Sequence, residues 1–216
     1  MGRLEYDARR RTLLQLPLLG AAPALGLLAG CTLSTGARQD FHLLRDPAGS
    51  AAGSAGPHID RVLLIASAAL PGLYDSDRMV FSADGKSRSY FQFGYWSERP
   101  AQSLLVLTEA RFAGAKRFRE VALSTAGVRG DLLLSLRLDE LYLDASSEPG
   151  QVRLIVTAEL IDWPTRKLLA RRSFVQAAAA SPRDASGVAQ AASQAVSVVL
   201  GALLDWTVAS AAAPAA

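Results

Sequence analysis

Carboxylates are the first side chains in this sequence that could do chemistry. Asp139, Glu140 and Asp144 form an acidic cluster at the end of an alternating segment, next to Leu141 and Tyr142. A pair of carboxyl groups can share general acid and general base work. Because no histidine or metal ligand lies near this cluster in the sequence, we interpret it as a solvated strand end.

Two further segments contain residue types that bind phosphate. Gly85-Lys86-Ser87 has the ending of a phosphate-binding loop, but the full motif needs a glycine where the chain has Val80, and then a helix. A strand is expected after Ser87 instead. Arg171-Arg172 offers two guanidinium groups, and we favour a place on an exposed strand edge, where charge discourages aggregation. Neither segment predicts a nucleotide site.

Metal ligands are scarce. The chain has one cysteine and two histidines, His42 and His58, whereas a zinc site needs about four ligands. We therefore expect no metal, no cofactor and no disulfide framework. No nucleophile motif of the G-x-S-x-G type is present either, so the sequence offers no recognisable catalytic motif.

The single cysteine indicates a different chemistry, covalent lipidation. Four arginines precede residue 13, residues 13–28 carry no charge, and the stretch ends in Leu28-Ala29-Gly30-Cys31. As a helix, residues 13–28 would span about 24 Å, short of the roughly 30 Å hydrocarbon core, which is typical of a secretory signal. Its end resembles the bacterial lipobox, with the signal cut between Gly30 and Cys31 and lipid carried on the Cys31 sulfur. The alternative is a buried free cysteine in an ordinary N-terminal helix.

Length and charge limit the remaining classes. The chain has 216 residues, half of them hydrophobic, with 23 basic and 20 acidic side chains, so its net charge is only +3. A nucleic-acid-binding surface needs a clustered basic excess, so we expect no nucleic-acid partner.

Residues 47–57 have the Gly/Ala/Ser/Pro composition of a flexible linker. We expect a signal peptide over 1–30, a lipidated tether over 31–58, a folded domain over 59–210 and an Ala-rich tail over 211–216.

An aromatic segment is the densest unusual feature. Five of the eleven residues from Tyr90 to Pro100 are aromatic. One interpretation is a strand whose rings pack on both sides of a sheet; the other is a surface for a partner or for lipid, since aromatic residues are enriched at interfaces. Strand alternation predicts that Phe91 and Phe93 share the core face. The candidate partner interface comprises Tyr90, Tyr95, Trp96 and Glu98.

The periodicity of apolar residues predicts the elements that position these side chains. Strands are expected near residues 62–65, 78–82, 89–95, 118–123, 132–143, 152–160 and 167–176, and helices near 99–113 and 184–209, with an additional edge strand near 41–44 left open. A slip in the alternation at Asp139-Glu140 predicts a β-bulge. Ser181 or Asp184 is expected to cap the last helix, whose apolar stripe ends at Trp206. The fold class is α/β or α+β: a layered domain in which two main helices cover a mixed sheet of about six to seven strands with hairpins.

Several of these motifs together resemble a known family. The sequence is similar to the ABC-type transport auxiliary lipoproteins, the PqiC-like proteins of bacterial intermembrane transport. The resemblance covers about residues 28–207 and depends on the lipobox, Leu70-Pro71-Gly72-Leu73-Tyr74-Asp75, Arg78-Met79-Val80, the segment from Tyr90 to Pro100, Leu160-Ile161-Asp162, Phe174 and Leu203-Leu204-Asp205-Trp206. Gly94 stands where a bulkier residue is expected.

The resemblance implies a non-catalytic lipoprotein of the cell envelope. Its partners would be an MCE-domain protein and the permease and ATPase of an ABC transporter, with attachment to the membrane through the lipid on Cys31; a homo-oligomer is left open. Because residue 32 is Thr rather than the Asp that retains enteric lipoproteins in the inner membrane, we expect the outer membrane, facing the periplasm. The first alternative is an outer-membrane structural or assembly lipoprotein unrelated to a transporter, and the second is a periplasmic enzyme.

Overall fold

The computed structural model describes residues 39–49, 57–68 and 72–213. Gly30, Cys31 and most of the tether lie outside the described residues. The strands are β1 (Asp40–His42), β2 (Ile59–Ser67), β3 (Arg78–Ser82), β4 (Ser89–Trp96), β5 (Phe118–Leu123), β6 (Leu132–Asp144), β7 (Gly150–Asp162) and β8 (Lys167–Ala180), and the helices are α1 (Pro100–Ala115) and α2 (Ala185–Ala212). These elements confirm the layered α+β class, with eight strands in one mixed sheet rather than six or seven.

Strand β6 organises the sheet. Along one edge it pairs antiparallel with β7, which in turn pairs with β8. Its other pairings are parallel: β2 pairs with residues 132–136 of β6, and β3 pairs with residues 143 and 144 of β6. From these two strands the sheet continues to β5 and, through β4, to β1. The register shifts between Leu138 and Glu140, which confirms the bulge that the interrupted alternation predicted.

The core lies between the sheet and the two helices. On β6, alternate residues Leu132, Leu134 and Leu136 are buried in one apolar cluster with side chains of α1 and α2. Of the other phase, Leu133 is also buried but lies outside this cluster, whereas Ser135 and Arg137 remain partly exposed. The period of two in the sequence therefore marks the covered face correctly.

Helix α2, the last element of the chain, covers part of the core. Asp184 is its N-cap, because the carboxylate accepts a hydrogen bond from the backbone N–H of Gly187 at 2.9 Å, which confirms one of the two expected caps. By length and composition α2 could cross a membrane; here Val199, Leu200 and Leu203 are buried against the sheet, so we treat it as a core helix.

Trp206 was predicted to end the apolar stripe of α2, but it is less buried than a core residue. Its ring is only half-buried and meets Phe174 edge-on, with ring centroids 5.7 Å apart. Since part of the indole already contacts water in the folded state, its removal should cost less than the roughly 3–5 kcal/mol of a fully buried aromatic ring.

The folded body begins earlier than residue 59. β1 pairs in parallel with β4, so the open suggestion of an edge strand near 41–44 describes a real element of the sheet. Leu44 is buried with the core. The expected boundary was too late because the Gly/Ala/Ser/Pro stretch follows this strand instead of preceding it.

Candidate functional site

Strand β4 carries most of the aromatic segment and lies near one end of the sheet. It pairs in parallel with β1 on one side and antiparallel with β3 on the other. Against β3, Tyr90 faces Val80 and Tyr95 faces Arg78, so two steps along β3 correspond to five along β4. β4 therefore bulges between Tyr90 and Tyr95, and simple alternation fails there.

The bulge separates the two phenylalanines that were expected to share the core face. Phe91 packs edge-on against Phe81, with ring centroids 5.1 Å apart, whereas Phe93 is 51% exposed. The prediction that Phe93 is a core residue was wrong, because the extra residues of β4 change the phase between these positions.

Gly94 fits this local geometry. A Cβ built on it would come within 2.9 Å of the Phe91 Cβ and within 3.3 Å of the Ala185 Cβ at the start of α2. The first distance is too short for two carbon atoms, so a larger residue would displace the Phe91 ring. The glycine that departs from the family pattern is thus explained by close packing.

The four candidate interface residues have different environments. Trp96 is buried in the core, with 3% of its surface exposed, so it is unavailable to a partner. Tyr90 is half-buried with the Arg78 guanidinium 4.3 Å from its ring centre, and Tyr95 is half-buried with its ring 5.9 Å from that of Phe41. Glu98 is exposed just before α1. Accessible surface therefore remains on Tyr90, Tyr95 and Glu98.

The structure also exposes apolar residues that the sequence interpretation had not assigned to a surface. Phe41 is 59% exposed and Leu43 is 51% exposed, next to the strand that carries Phe93 and Tyr95. We call these four residues the aromatic edge. The available signal was the short apolar run Phe41-His42-Leu43-Leu44, of which only Leu44 is buried.

A buried ion pair fixes the chain just after β1. The Arg111 guanidinium donates two hydrogen bonds to the Asp46 carboxylate, at 2.7 and 2.6 Å, and the two side chains are only 3% and 6% exposed. Burial by itself raises the pKa of Asp46, but hydrogen bonds from Arg111 and Ser197 outweigh it, so the pKa lies below its usual value. This ion pair attaches the segment that follows Phe41 and Leu43 in the sequence to helix α1.

The segment that resembled a phosphate loop is a hairpin turn. One oxygen of Asp84 accepts hydrogen bonds from the backbone N–H groups of Lys86 and Ser87 and from the Ser87 hydroxyl. These bonds hold the pKa of Asp84 well below its usual range, and Gly85 adopts a φ of 72° as an Asp-Gly turn requires. The N–H groups that a phosphate would use are thus already occupied.

The acidic cluster has structural partners too. Asp139, at the β6 bulge, accepts hydrogen bonds from Arg137 and from the Thr157 hydroxyl, and Asp144 accepts two from Ser146, which lower its pKa. Among residues 39–49, 57–68 and 72–213, no group of three His, Cys, Asp or Glu side chains could hold a metal ion. Asp139 and Asp144 are thus engaged in local hydrogen bonds, and Glu140 lies beside the bulge, opposite Ile155.

The paired arginines lie on β8. Arg171 approaches Glu159 of β7 at 3.4 Å, and the Arg172 guanidinium lies 5.1 Å from the ring centre of Phe174. Within the described part of the chain β8 pairs only with β7. The arginines therefore occupy an exposed sheet edge, as favoured from the sequence.

Comparisons with known proteins agree with this fold. Protein XCC0632 from Xanthomonas campestris, a DUF330 protein of known structure, is 21% identical, with a TM-score of 0.66 over 80% of this chain and 93% of its own. A second solved structure, of an uncharacterised protein, is 11% identical, with a TM-score of 0.59 over 77% and 99% of the two chains. No curated protein matches. These structural likenesses show the fold alone.

The family follows from the sequence match. The family model described as "ABC-type transport auxiliary lipoprotein component" matches residues 41–202. The match begins in β1, includes the aromatic edge and the Asp46–Arg111 pair, and ends in α2, so it covers nearly all of the described fold. This chain therefore belongs to the ABC-type transport auxiliary lipoprotein family, whose PqiC-like members its motifs resemble.

Proposed function

We propose that this chain is a lipid-anchored, non-catalytic accessory subunit of an ABC transport system that moves lipid across the envelope with an MCE-domain protein. The observation that carries the proposal is the family match over residues 41–202 in a chain that presents a lipobox ten residues earlier, at Cys31. The match supports association with an ABC system; the lipid cargo, the MCE partner and the outer-membrane location are our extension of it.

A non-catalytic role fits the side chains of the described fold. Two of the three carboxylates in the acidic cluster, Asp139 and Asp144, are held in local hydrogen bonds. Asp84, within the loop-like segment, closes a turn. The side chains that we propose for contact are Tyr90 and Tyr95 on β4 and the exposed Glu98 just before α1.

The anchor is tested by Cys31→Ser. One acyl chain holds a protein only marginally, whereas two or more give stable attachment, at about 0.8 kcal/mol per buried CH₂. We expect the wild-type chain to stay with the outer membrane in high salt and the variant to remain unprocessed at the signal. If Cys31→Ser is still cleaved and still fractionates with the outer membrane in high salt, the lipoprotein assignment fails.

Protein contact is tested at the accessible candidate residues. Glu98→Ala and Tyr90→Ala should leave the thermal melting temperature nearly unchanged and reduce co-purification of transporter subunits, because both side chains retain surface. Glu120→Ala is the matched control, an exposed glutamate on β5 at the far end of the sheet path. Equal co-purification by all three variants would remove Tyr90 and Glu98 from the interface.

A further inference from the structure

The aromatic edge differs from the other exposed apolar positions of the described fold. Phe41, Leu43 and Phe93 are each at least half exposed, and Tyr95 contacts Phe41. The remaining large exposed apolar residues are aliphatic and stand apart on other elements or loops: Val106, Val128, Leu168, Val175 and Val198. Single exposed aliphatic residues are ordinary, whereas a cluster marks a contact surface.

The pairing of β1 with β4 turns part of this cluster away from the core. Phe41 is opposite Tyr95, so these two rings lie on the same face of the sheet. Gly94 and Trp96 have the other phase and are buried. Phe93 precedes Gly94 and is itself exposed. The edge therefore combines apolar rings with one phenol hydroxyl, the amphipathic composition found where proteins meet the membrane–water interface.

The short connection to Cys31 limits where this surface can be. Nine residue steps separate Cys31 from Asp40, the first residue of β1. At about 3.3–3.6 Å per residue, even a fully extended chain spans only about 30 Å, and a flexible chain of that length has a root-mean-square reach of about 15–18 Å. A lipidated Cys31 would therefore hold the aromatic edge close to the bilayer surface at high effective concentration.

We propose that the aromatic edge is a second membrane contact, which rests on the bilayer that holds the lipid of Cys31. This inference depends on the lipidation given under the proposed function. Contact at two points would fix the orientation of the domain, with the β1–β4 end of the sheet against the lipid headgroups. β8 reaches β4 only through β7, β6 and β3, so it would stand away from that contact.

Spin labelling of the full, lipidated chain tests the contact. The chain is reconstituted in vesicles of phosphatidylethanolamine and phosphatidylglycerol, with a nitroxide on Phe93→Cys or, as matched control, on Val175→Cys. Both positions are more than half exposed, at 51% and 62%, so neither substitution empties the core. The acylated sulfur of Cys31 does not react, and the introduced thiol alone carries the label.

The readout is collision of the label with oxygen, which concentrates in lipid, against collision with a water-soluble nickel complex. We expect the oxygen-to-nickel ratio at position 93 to exceed that at position 175 several-fold. Equal, water-like ratios in chains that float with the vesicles overturn the membrane contact and leave the anchor intact. Chains that fail to float overturn both, because the anchor is then missing. A label at position 93 shielded from both reagents only after a partner protein is added assigns the edge to that protein and contradicts the inference.

Discussion

Asp46→Ala is expected to lower the free energy of unfolding by about 3–5 kcal/mol, because it leaves the buried Arg111 guanidinium without its counter-charge. Arg111 is only 3% exposed, and both of its hydrogen bonds to Asp46 are short. The measurement is urea denaturation of the purified chain. Asp60→Ala is the control: its ion pair with Arg119 has side chains 80% and 52% exposed, and such surface pairs contribute at most about 1 kcal/mol. Equal losses in the two variants would show that Arg111 finds another partner or water.

The same pair predicts a dependence on pH. The pKa of Asp46 in the folded chain lies below its ordinary value of 3.8. Its ionisation therefore adds stability that is fully present above about pH 4 and is lost as the pH falls through the folded-state pKa. The difference in stability between wild type and Asp46→Asn should narrow on acidification below about pH 4. A difference that stays constant down to the acid transition would contradict the assignment.

Phe112→Ala should also cost about 3–5 kcal/mol. The ring is completely buried and stacks on Phe118, with ring centroids 6.3 Å apart, so its loss leaves a cavity between α1 and β5. Phe93→Ala is the matched control on the bulged strand. Because half of that ring is already exposed, its effect on the denaturation midpoint should stay within about 1 kcal/mol. A large loss of stability in Phe93→Ala would indicate that this ring packs in the core and that β4 follows simple alternation.

Regular strands and helices were readable from the sequence because their apolar residues repeat at a fixed period. The bulge at Asp139-Glu140 interrupts that repeat, so its position showed directly, and Asp184 precedes the first buried turn of α2 as an N-cap should. In a regular strand, alternate residues point to the same face, so the alternation of residue types predicts which side chains are buried.

Strand β4 shows where this reasoning fails. Five of the seven residues from Tyr90 to Trp96 are aromatic, so no clear alternation of apolar and polar types marks the bulge, and Phe93 was placed on the wrong face. Trp96 was among the candidate interface residues, yet it has the same phase as Gly94 on β4, and both residues are buried.

Long-range pairing is the other limit. Asp46 and Arg111 are 65 positions apart, and nothing in the local composition links them. For the same reason composition alone places the start of the fold after the Gly/Ala/Ser/Pro stretch, although β1 and Asp46 precede that stretch. The lipobox-like segment that ends at Cys31, by contrast, is a purely local motif, so lipidation could be proposed from the sequence alone.

The most direct test of the central claim is to identify the proteins bound to the intact lipoprotein. An affinity-tagged full chain is purified from detergent-solubilised membranes, and its partners are identified by mass spectrometry, with the Cys31→Ser chain as the unlipidated control. The account predicts an MCE-domain protein together with the permease and ATPase of one ABC transporter, enriched with wild type over the control. Enrichment of outer-membrane assembly proteins, with no transporter or MCE subunit, would contradict it.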